Sequence, residues 1–459
     1  MRTECTASRL EFEGQGGRRV EGAFDAGRTS TDGGLLLLRE LENRRKILGR
    51  FARCFEDLRD PTRVQHSVDA LIRQRVLALA CGYEDLNDHD ALRHDALLAL
   101  ASGHDDPTTV LASRSTLNRL ECTPADATSD DRYCKILYDA TAIDRLWVDL
   151  FLERYAQPPA QIVLDLDATD DPLHGEQEGR FFHGFYRNYC YLPLYIFCGD
   201  ALLLAKLRRS NRDGCDGTLE EVQRIVAHIR TAWPTVEIVL RADSGFAREY
   251  LMAWCEANGV EYVFGLARNS RLQEALGEAL AAVREEQEQS GVFSVRRFEE
   301  LRYRTLSTWS CQRRVVGKAE QLRDKSNPRF VVTSLDADTY PAQPLYEQLY
   351  CARGDMENRI KEQQLELFAD RTSSHTMRAN QLRLWFSSIA YVLLAELRRI
   401  ALAGTAMAKA QAGTIRLRLL KIATIVTVSV RRIALALSST YPDPALFVAA
   451  LARIRALPT

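Results

Sequence analysis

No run of about 18 uncharged apolar residues, the length that would read as a membrane-spanning helix, occurs in the sequence. The nearest, "WFSSIAYVLLA" at 385–395, is too short, so no membrane partner is expected. The first residues, "MRTECTASRLEFEGQGGRRV", lack the apolar core of a secretory signal, and export is not expected. Eleven cysteines include no C-x-x-C pair. That odd number and scattered spacing argue against a disulfide framework or a zinc site and for a reducing cytoplasm. Internal repeats and low-complexity tracts are absent too, which excludes solenoids and long disordered tails.

Net charge is also nearly absent, at −1, but its distribution is uneven. From Arg371 onward there are 13 Lys and Arg against two acids, a net +11, which leaves −12 on the preceding 370 residues. A basic end on an acidic body is the charge layout of a protein that meets polyanions through one surface. For any single arginine, a solvated helix face is the plainer reading.

What is present falls into three stretches. The beginning looks like a strand pair turning at "GQGG", followed by a helix capped by Thr31 or Asp32. Helical patterns then continue to about 155, and "QPPAQ" (157–161) breaks them. Next come a strand "QIVLDLD", a hairpin over 191–210 around Gly199-Asp200, an amphipathic helix, a strand "VEIVLRAD", a helix stopped by Gly259, and a strand "VEYVFGLA". Three antiparallel strands followed by alternating helix and strand describe an α/β ribonuclease-H-like sheet. Period-two alternation over roughly 290–340 predicts an inserted β subdomain, and 346–368 returns to helix. Helix or strand remains open for "TIRLRLLKIATIVTVSVRRIALALSS" near the end.

The expected domains are therefore 1–156, mainly helical; 157–370, the α/β core with its β insertion; and 371–459, a basic region suited to a polyanion.

The chemistry concentrates in "QIVLDLDATDDPLHG" (161–175). Asp165 and Asp167 leave the same face of a strand, and two like charges there call for a cation. One explanation is the D-x-D-x-T motif of haloacid-dehalogenase-like phosphotransferases, with Asp165 as nucleophile and Asp167 as general acid. That fold also wants an acidic pair on a later strand, and "LRADSGFARE" has alanine at 247 where the second acid belongs. The other explanation is a set of carboxylates converging on two divalent metals about 3.5–4 Å apart at a phosphodiester. Asp167 with Asp165 beside it, Asp243 at the end of the next strand, and an acid from helix 346–368 would supply it. On that helix Tyr350, Arg353, Glu357 and Gln364 follow at intervals of 3, 4 and 7, one stripe of an α-helix. The plain alternative is an ordinary Arg–Glu pair on a solvated face.

Asp167-Ala-Thr169, "LRADSGF" around Asp243, and Tyr350-x2-Arg353-x3-Glu357 together resemble the bacterial insertion-sequence transposases of the DDE class. More narrowly they are similar to the group whose third motif is Y-x2-R-x3-E-x6-K. "STDGGLLLLRE", "STLNRLE", "YCARGDMENRIKE" and "IRLRLLKIA" extend the resemblance along nearly the whole chain. It implies that Asp167, Asp243 and Glu357 are the catalytic, metal-binding acids, with Asp167 rather than Asp165 as the first ligand. It implies Mg2+ as cofactor, with Mn2+ able to substitute, and hydrolysis at transposon ends followed by attack of the freed 3′-hydroxyl on target DNA. The implied partners are double-stranded DNA, as terminal inverted repeats and as target, and a second subunit in a homodimeric synaptic complex. A cytoplasmic, nucleoid-associated place in a bacterium follows. A catalytically idle DNA-binding relic is the third reading, against which all three acids are present.

One departure stands out: Gln364 occupies the place of the motif's lysine, and Lys361, which shares the face of Glu357, is the alternative grip on phosphate. Tyr350 and Arg353 would face DNA with them. A helix, a turn and "RSTLNRLE" around 95–121 offer Arg114, Ser115, Asn118 and Arg119 to a major groove, with a purely structural helical hairpin as the equal alternative. Arg208, Arg209 and Arg212, with the arginines of the C-terminal region, would contact phosphates.

Overall fold

The computed structural model describes residues 9–323 and 325–458. Two compact units emerge: Met1–Tyr138 with Glu366–Phe368 and Ile389–Thr459, and Asp139–Leu365 with Ala369–Ser388. The last seventy or so residues thus fold with the first unit, and the helix Ala140–Leu152 folds with the second. The boundaries expected at 157 and 371 are not those of the compact units.

The first unit opens with the antiparallel hairpin Leu10–Gln15 and Arg18–Gly22, as its turn signal implied. Helices Leu35–Arg45, Val68–Ala80, Ala96–Ala101 and Arg114–Glu121 follow. The undecided basic stretch contains both states: a helical turn over Ala412–Leu420, then strands Thr424–Ser429 and Arg432–Leu437. These strands form a three-stranded sheet with Thr29–Ser30.

The "STDGG" segment is what fastens the two ends of this unit. Helix Leu35–Arg45 is capped by Gly34 and has no side-chain cap. Asp32, expected to cap it, is buried, bonded to Lys421 Nζ at 2.7 Å, and accepts from the Tyr83 hydroxyl at 2.7 Å. Gly33 and Gly34 donate to the carbonyls of Ile422 and Leu420 at 2.9 and 3.0 Å. A carbon added at Gly34 would stand 2.1 Å from the Leu419 carbonyl oxygen, and one at Gly33 would stand 2.8 Å from that of Ile422. Only glycine lets the two backbones approach this closely.

In the second unit, α1 (Ala140–Leu152) precedes the central strand β1 (Gln161–Ala168). Three short strands follow, β2 (Asp171–Pro172), β3 (Phe181–His183) and β4 (Asn188–Tyr191), and form a small sheet in the order β2-β4-β3. Then come the hairpin β5 (Leu194–Cys198) and β6 (Ala201–Lys206), α2 (Thr218–Ala232), β7 (Glu237–Ala242), α3 (Glu249–Ala257) and β8 (Glu261–Leu266). Helix α4 (Gly277–Ser290) leads into β9 (Ser294–Tyr303), β10 (Arg313–Leu322) and β11 (Arg329–Thr333).

The main sheet has eight strands in the order β6-β5-β1-β7-β8-β11-β10-β9. Strand β1 pairs antiparallel with β5 and parallel with β7, and β7 is parallel to β8. This is the mixed α/β, ribonuclease-H-like arrangement the element order implied. The antiparallel neighbour of β1 is also incompatible with the all-parallel sheet that the phosphotransferase reading required. Strands β9–β11, expected as an inserted subdomain, instead prolong the main sheet, because β11 hydrogen-bonds along the free edge of β8.

Alternation along β1 and β7 divides the sheet's two faces. Ile162, Leu164, Leu166, Ile238, Leu240 and Ala242 pack in one core with Val222, Ile225 and Ile229 of α2 and Leu251 and Met252 of α3. On the opposite face Val239 and Val263 pack with Leu345 and Tyr346, from a helical stretch over 342–367. Asp165, Asp167 and Arg241 alternate onto that opposite face, and the chain continues it to Asp243. The fold thus collects polar groups beneath one helix.

Replacing Gly34 by alanine should destabilise the protein by about 1–3 kcal/mol or more, since backbone must move to admit the methyl group. Gly277→Ala, where an added carbon meets nothing within 4 Å, should leave the thermal midpoint unchanged or slightly higher. Equal midpoints for the two variants would contradict the close-approach account of "STDGG".

Candidate active site

Asp165 is 2% exposed and forms a two-pronged pair with Arg241, its register partner on β7. Arg241 Nε and Nη2 donate to its two oxygens at 2.5 and 2.8 Å, while Nη1 donates to the Leu349 carbonyl at 2.6 Å. Burial holds the Asp165 carboxyl above its ordinary value, and the Arg241 guanidinium offsets only part of that rise. Both oxygens are engaged, so Asp165 is not available as a nucleophile, and the phosphotransferase reading fails here too. Asp167 is the acid of the two that Arg241 does not bind.

Asp167 lies two residues on, at the end of β1, where its Oδ1 accepts from the Ala168 amide at 3.0 Å. Its pKa is pushed up to about 7, first by burial and then by the charges of Asp243 and Glu357, with Arg353 opposing. Asp243 follows β7 directly and accepts from the Gly245 amide at 2.8 Å, which fixes the tight turn Ser244–Phe246 beneath it. Glu357 sits on the α-helical segment Gly354–Lys361 and accepts from Arg353. Arg353 Nη1 also stands 3.9 Å from Asp167. Burial would lower the Arg353 pKa, but Asp167, Glu357, Tyr350 and Asp243 around it hold it above its ordinary value. Three elements therefore bring three carboxylates into one electrostatic cluster about a single guanidinium.

Among the described residues no three acids, histidines or cysteines stand close enough to hold a metal ion as they are. The donor set itself fits a hard divalent cation: carboxylate oxygens only, one of them buried at a cost that a cation would relieve.

The helical stretch carrying Glu357 is not uniform. Leu345–Tyr350 and Glu362–Glu366 are π-helical and flank the α-helical segment. Wide turns of this kind are frequent at functional sites. The first one contains Leu349, whose carbonyl Arg241 holds, and Tyr350. The Tyr350 hydroxyl reaches down onto Gly265 of β8, where an added carbon would stand 2.6 Å from it. The second turns Gln364 away from the stripe that α-helical spacing implied. Gln364 donates instead to the Asp170 carbonyl at 3.1 Å and to Asp171 Oδ1 at 2.9 Å. Asp171 is wholly buried, and burial pushes it up to about 8. Gln364 is thus a brace for the loop after β1. Lys361 is exposed, four residues after Glu357 within the regular segment, and shares its face.

Other expected residues divide. Arg208 is buried and donates to the carbonyls of Leu192, Asp216 and Gly214, so it is a structural staple and not a phosphate contact. In the first unit Arg416, Arg418 and Lys421 are likewise engaged, by the Ala80 carbonyl, Asp443 and Asp32. Helix Arg114–Glu121 buries Leu117 and Leu120 and exposes Arg114, Ser115, Asn118 and Arg119. Arg114 bonds Asn87 at 2.7 Å and pairs with Asp90 at 3.1 Å, and Arg119 lies 4.3 Å over the Tyr133 ring. Sequence reasoning missed Arg241, although a charge inside the apolar strand "VEIVLRAD", two residues before an acid, repeats the Asp165–Asp167 spacing. It also missed Gly265.

The sequence model of the family described as transposase DDE domain group 1 matches residues 12–459. No curated protein matches the chain. Among solved structures the chain is similar to a piggyBac transposase, seen in a synaptic complex with hairpin DNA. The identity is 12% and the TM-score 0.41, over 85% of this chain and 79% of that one.

Arg241→Met should cost about 3–5 kcal/mol of stability, because it leaves Asp165 charged and buried without a partner. Adding Asp165→Leu should restore most of that loss, since an apolar pair tolerates burial. DNA cleavage should stay low in the double variant, because the Leu349 carbonyl still lacks its donor. Recovery of both stability and cleavage would reduce the pair to a purely structural one.

Proposed function

The chain belongs to the DDE-domain group 1 transposases, and from that premise we propose that Asp167, Asp243 and Glu357 are its catalytic acids. The observation that carries this reading is their convergence, from two adjacent strands and one helix, on the charge of Arg353. The three would hold divalent Mg2+, with Mn2+ able to replace it. When bound, such ions activate the attacking oxygen and stabilise the leaving one at a phosphodiester.

Each remaining group has a task that its surroundings allow. Arg353, already beside Asp167 and Glu357, offers a planar donor fork to a phosphate that enters between them. Lys361 grips the same strand from one turn further along the helix. Tyr350, fitted against Gly265, keeps the helix at a fixed height over β8. Arg241 holds that helix to both acid-bearing strands, so the acids keep their places while the charge at the site changes. Water attacks the phosphodiester at the transposon end and the 3′-oxygen leaves. That 3′-hydroxyl then attacks a target phosphodiester, one phosphorus–oxygen bond forming as another breaks. No side chain becomes covalently linked, so the loss of Asp165 as a nucleophile removes nothing that the reaction needs.

The partner is double-stranded DNA, as terminal inverted repeats and as target. Arg114 and Arg119 on the outward face of helix Arg114–Glu121 would read or position the repeats, and a homodimer would hold two ends together. No helix among the described residues is long and apolar enough to cross a membrane.

Asp243→Asn should abolish strand cleavage and leave binding to the transposon ends nearly intact, because it removes one ligand and no groove contact. Run beside it, Lys361→Ala should weaken end-binding and lower the slope of log affinity against log salt by about one. Parallel loss of binding and cleavage in Asp243→Asn would make Asp243 structural. An unchanged slope in Lys361→Ala would leave the phosphate to Arg353.

A further inference from the structure

The small sheet β2-β4-β3 presents a ribbon, "GRFFHGFYRNYCY" over 179–191, with an unusual surface. Phe181, Phe182, Phe185 and Tyr189 are 37, 57, 83 and 45% exposed. Large aromatic rings are seldom left in water this densely, and such patches mark binding surfaces. The rings do not cover one another. Phe182 meets Tyr189 edge-on at 5.6 Å, and Phe185 meets Tyr186 edge-on at 5.0 Å, which leaves ring faces open. Arg180 lies 4.3 Å over the Tyr189 ring and pairs at 3.2 Å with the exposed Glu176 just before the ribbon, a surface pair that a phosphate would exchange into. Within the ribbon the ionisable groups besides the phenols and Cys190 are Arg180, His183 and Arg187, with no carboxylate among them.

Its base is fixed. Ser210 Oγ donates to the Phe181 carbonyl at 3.0 Å, and the Leu173 amide donates to the Tyr189 carbonyl at 2.8 Å. Its inner side meets the site described above, because the Tyr186 hydroxyl donates to the carbonyl of Ala168, the residue after Asp167, at 3.2 Å. A DNA strand placed at Asp167 therefore runs beside this ribbon.

We infer that the ribbon stacks unpaired nucleobases of the DNA strand at the scissile phosphate, Phe185 and Phe182 supplying the ring faces and Arg180 and Arg187 the phosphate contacts. The inference rests on the reading of the acids as a DNA-cleaving site. Aromatic faces interleaved with cations are what single-stranded nucleic acid needs, since every base has a π-face and every linkage a negative charge.

The test uses the full chain and a short oligothymidylate carrying one central 2-aminopurine. Wild-type protein should quench the fluorophore on binding. Phe185→Ala and Phe182→Ala should each weaken binding roughly 5- to 150-fold, the range for one lost base–aromatic stack, and relieve the quench. Phe185→Trp should keep it, and all should unfold at the wild-type midpoint because the rings removed are exposed. Unchanged affinity and quench in both alanine variants overturn the inference. So does a change confined to the sedimentation coefficient, which would make the ribbon a protein-docking surface. Loss of quench only in the ribbon variants, with cleavage still dependent on Asp243, supports it. Quench dependent on the ribbon in a protein whose cleavage ignores Asp243 would also support it, while sinking the assignment of the acids.

Discussion

The three acid-bearing elements of the second unit are tied together by the buried pair of Asp165 and Arg241. Asp165 belongs to β1 and Arg241 to β7, and the guanidinium's last donor takes the Leu349 carbonyl from the helix. Those are the three elements that carry Asp167, Asp243 and Glu357. A buried ion pair is a poor device for raw stability, because desolvation consumes most of the attraction. Its advantage is direction. Five donors in a rigid plane fix relative position in a way that apolar packing, which slides at small cost, cannot. The pair lies one strand repeat below the acids, so it sets their spacing without competing for whatever they bind.

That arrangement also explains how much the sequence revealed. Strands β1, β7 and β8 and the hairpin β5–β6 were legible because each is a short apolar run bounded by turn residues, and helix α2 because its apolar stripe is clean. Asp165 and Asp167 could be placed on one face from the period of two alone. Strands β9–β11 were legible as strands but not as part of the main sheet, since pairing with the edge of β8 is a long-range choice that local pattern does not encode. The role of Asp32 failed for a similar reason. Aspartate before a helix is a good cap, and only the tertiary approach of Lys421 and Tyr83 draws it elsewhere. Its neighbours Gly33 and Gly34 did carry a signal, because a glycine pair that ends where a helix begins is wasteful unless another backbone comes close.

The stripe Tyr350, Arg353, Glu357 and Gln364 was half right, and the reason is geometric. Regular spacing holds from Gly354 to Lys361, where it correctly joins Glu357 to Lys361. Beyond it a π-turn begins, each residue advances by a smaller angle, and Gln364 leaves the stripe for the buried Asp171. A pattern argument assumes constant pitch. The sequence offers no proline or glycine at 362–366 to warn that the pitch changes.

Electrostatics then divide the work of the unit. Asp165 is neutralised by Arg241, whereas Asp167, Asp243 and Glu357 share one guanidinium, so the cluster as folded keeps excess negative charge. Such a cluster attracts divalent cations and repels a phosphate backbone. Grip on DNA must therefore come from residues set back from the acids and pointing past them. Lys361 stands on the next helical turn, and Arg180 and Arg187 stand on the ribbon beside β1. A site that has to hold metal ions and a polyanion together is served by such a separation of acids from cations, since each charge then meets its own partner.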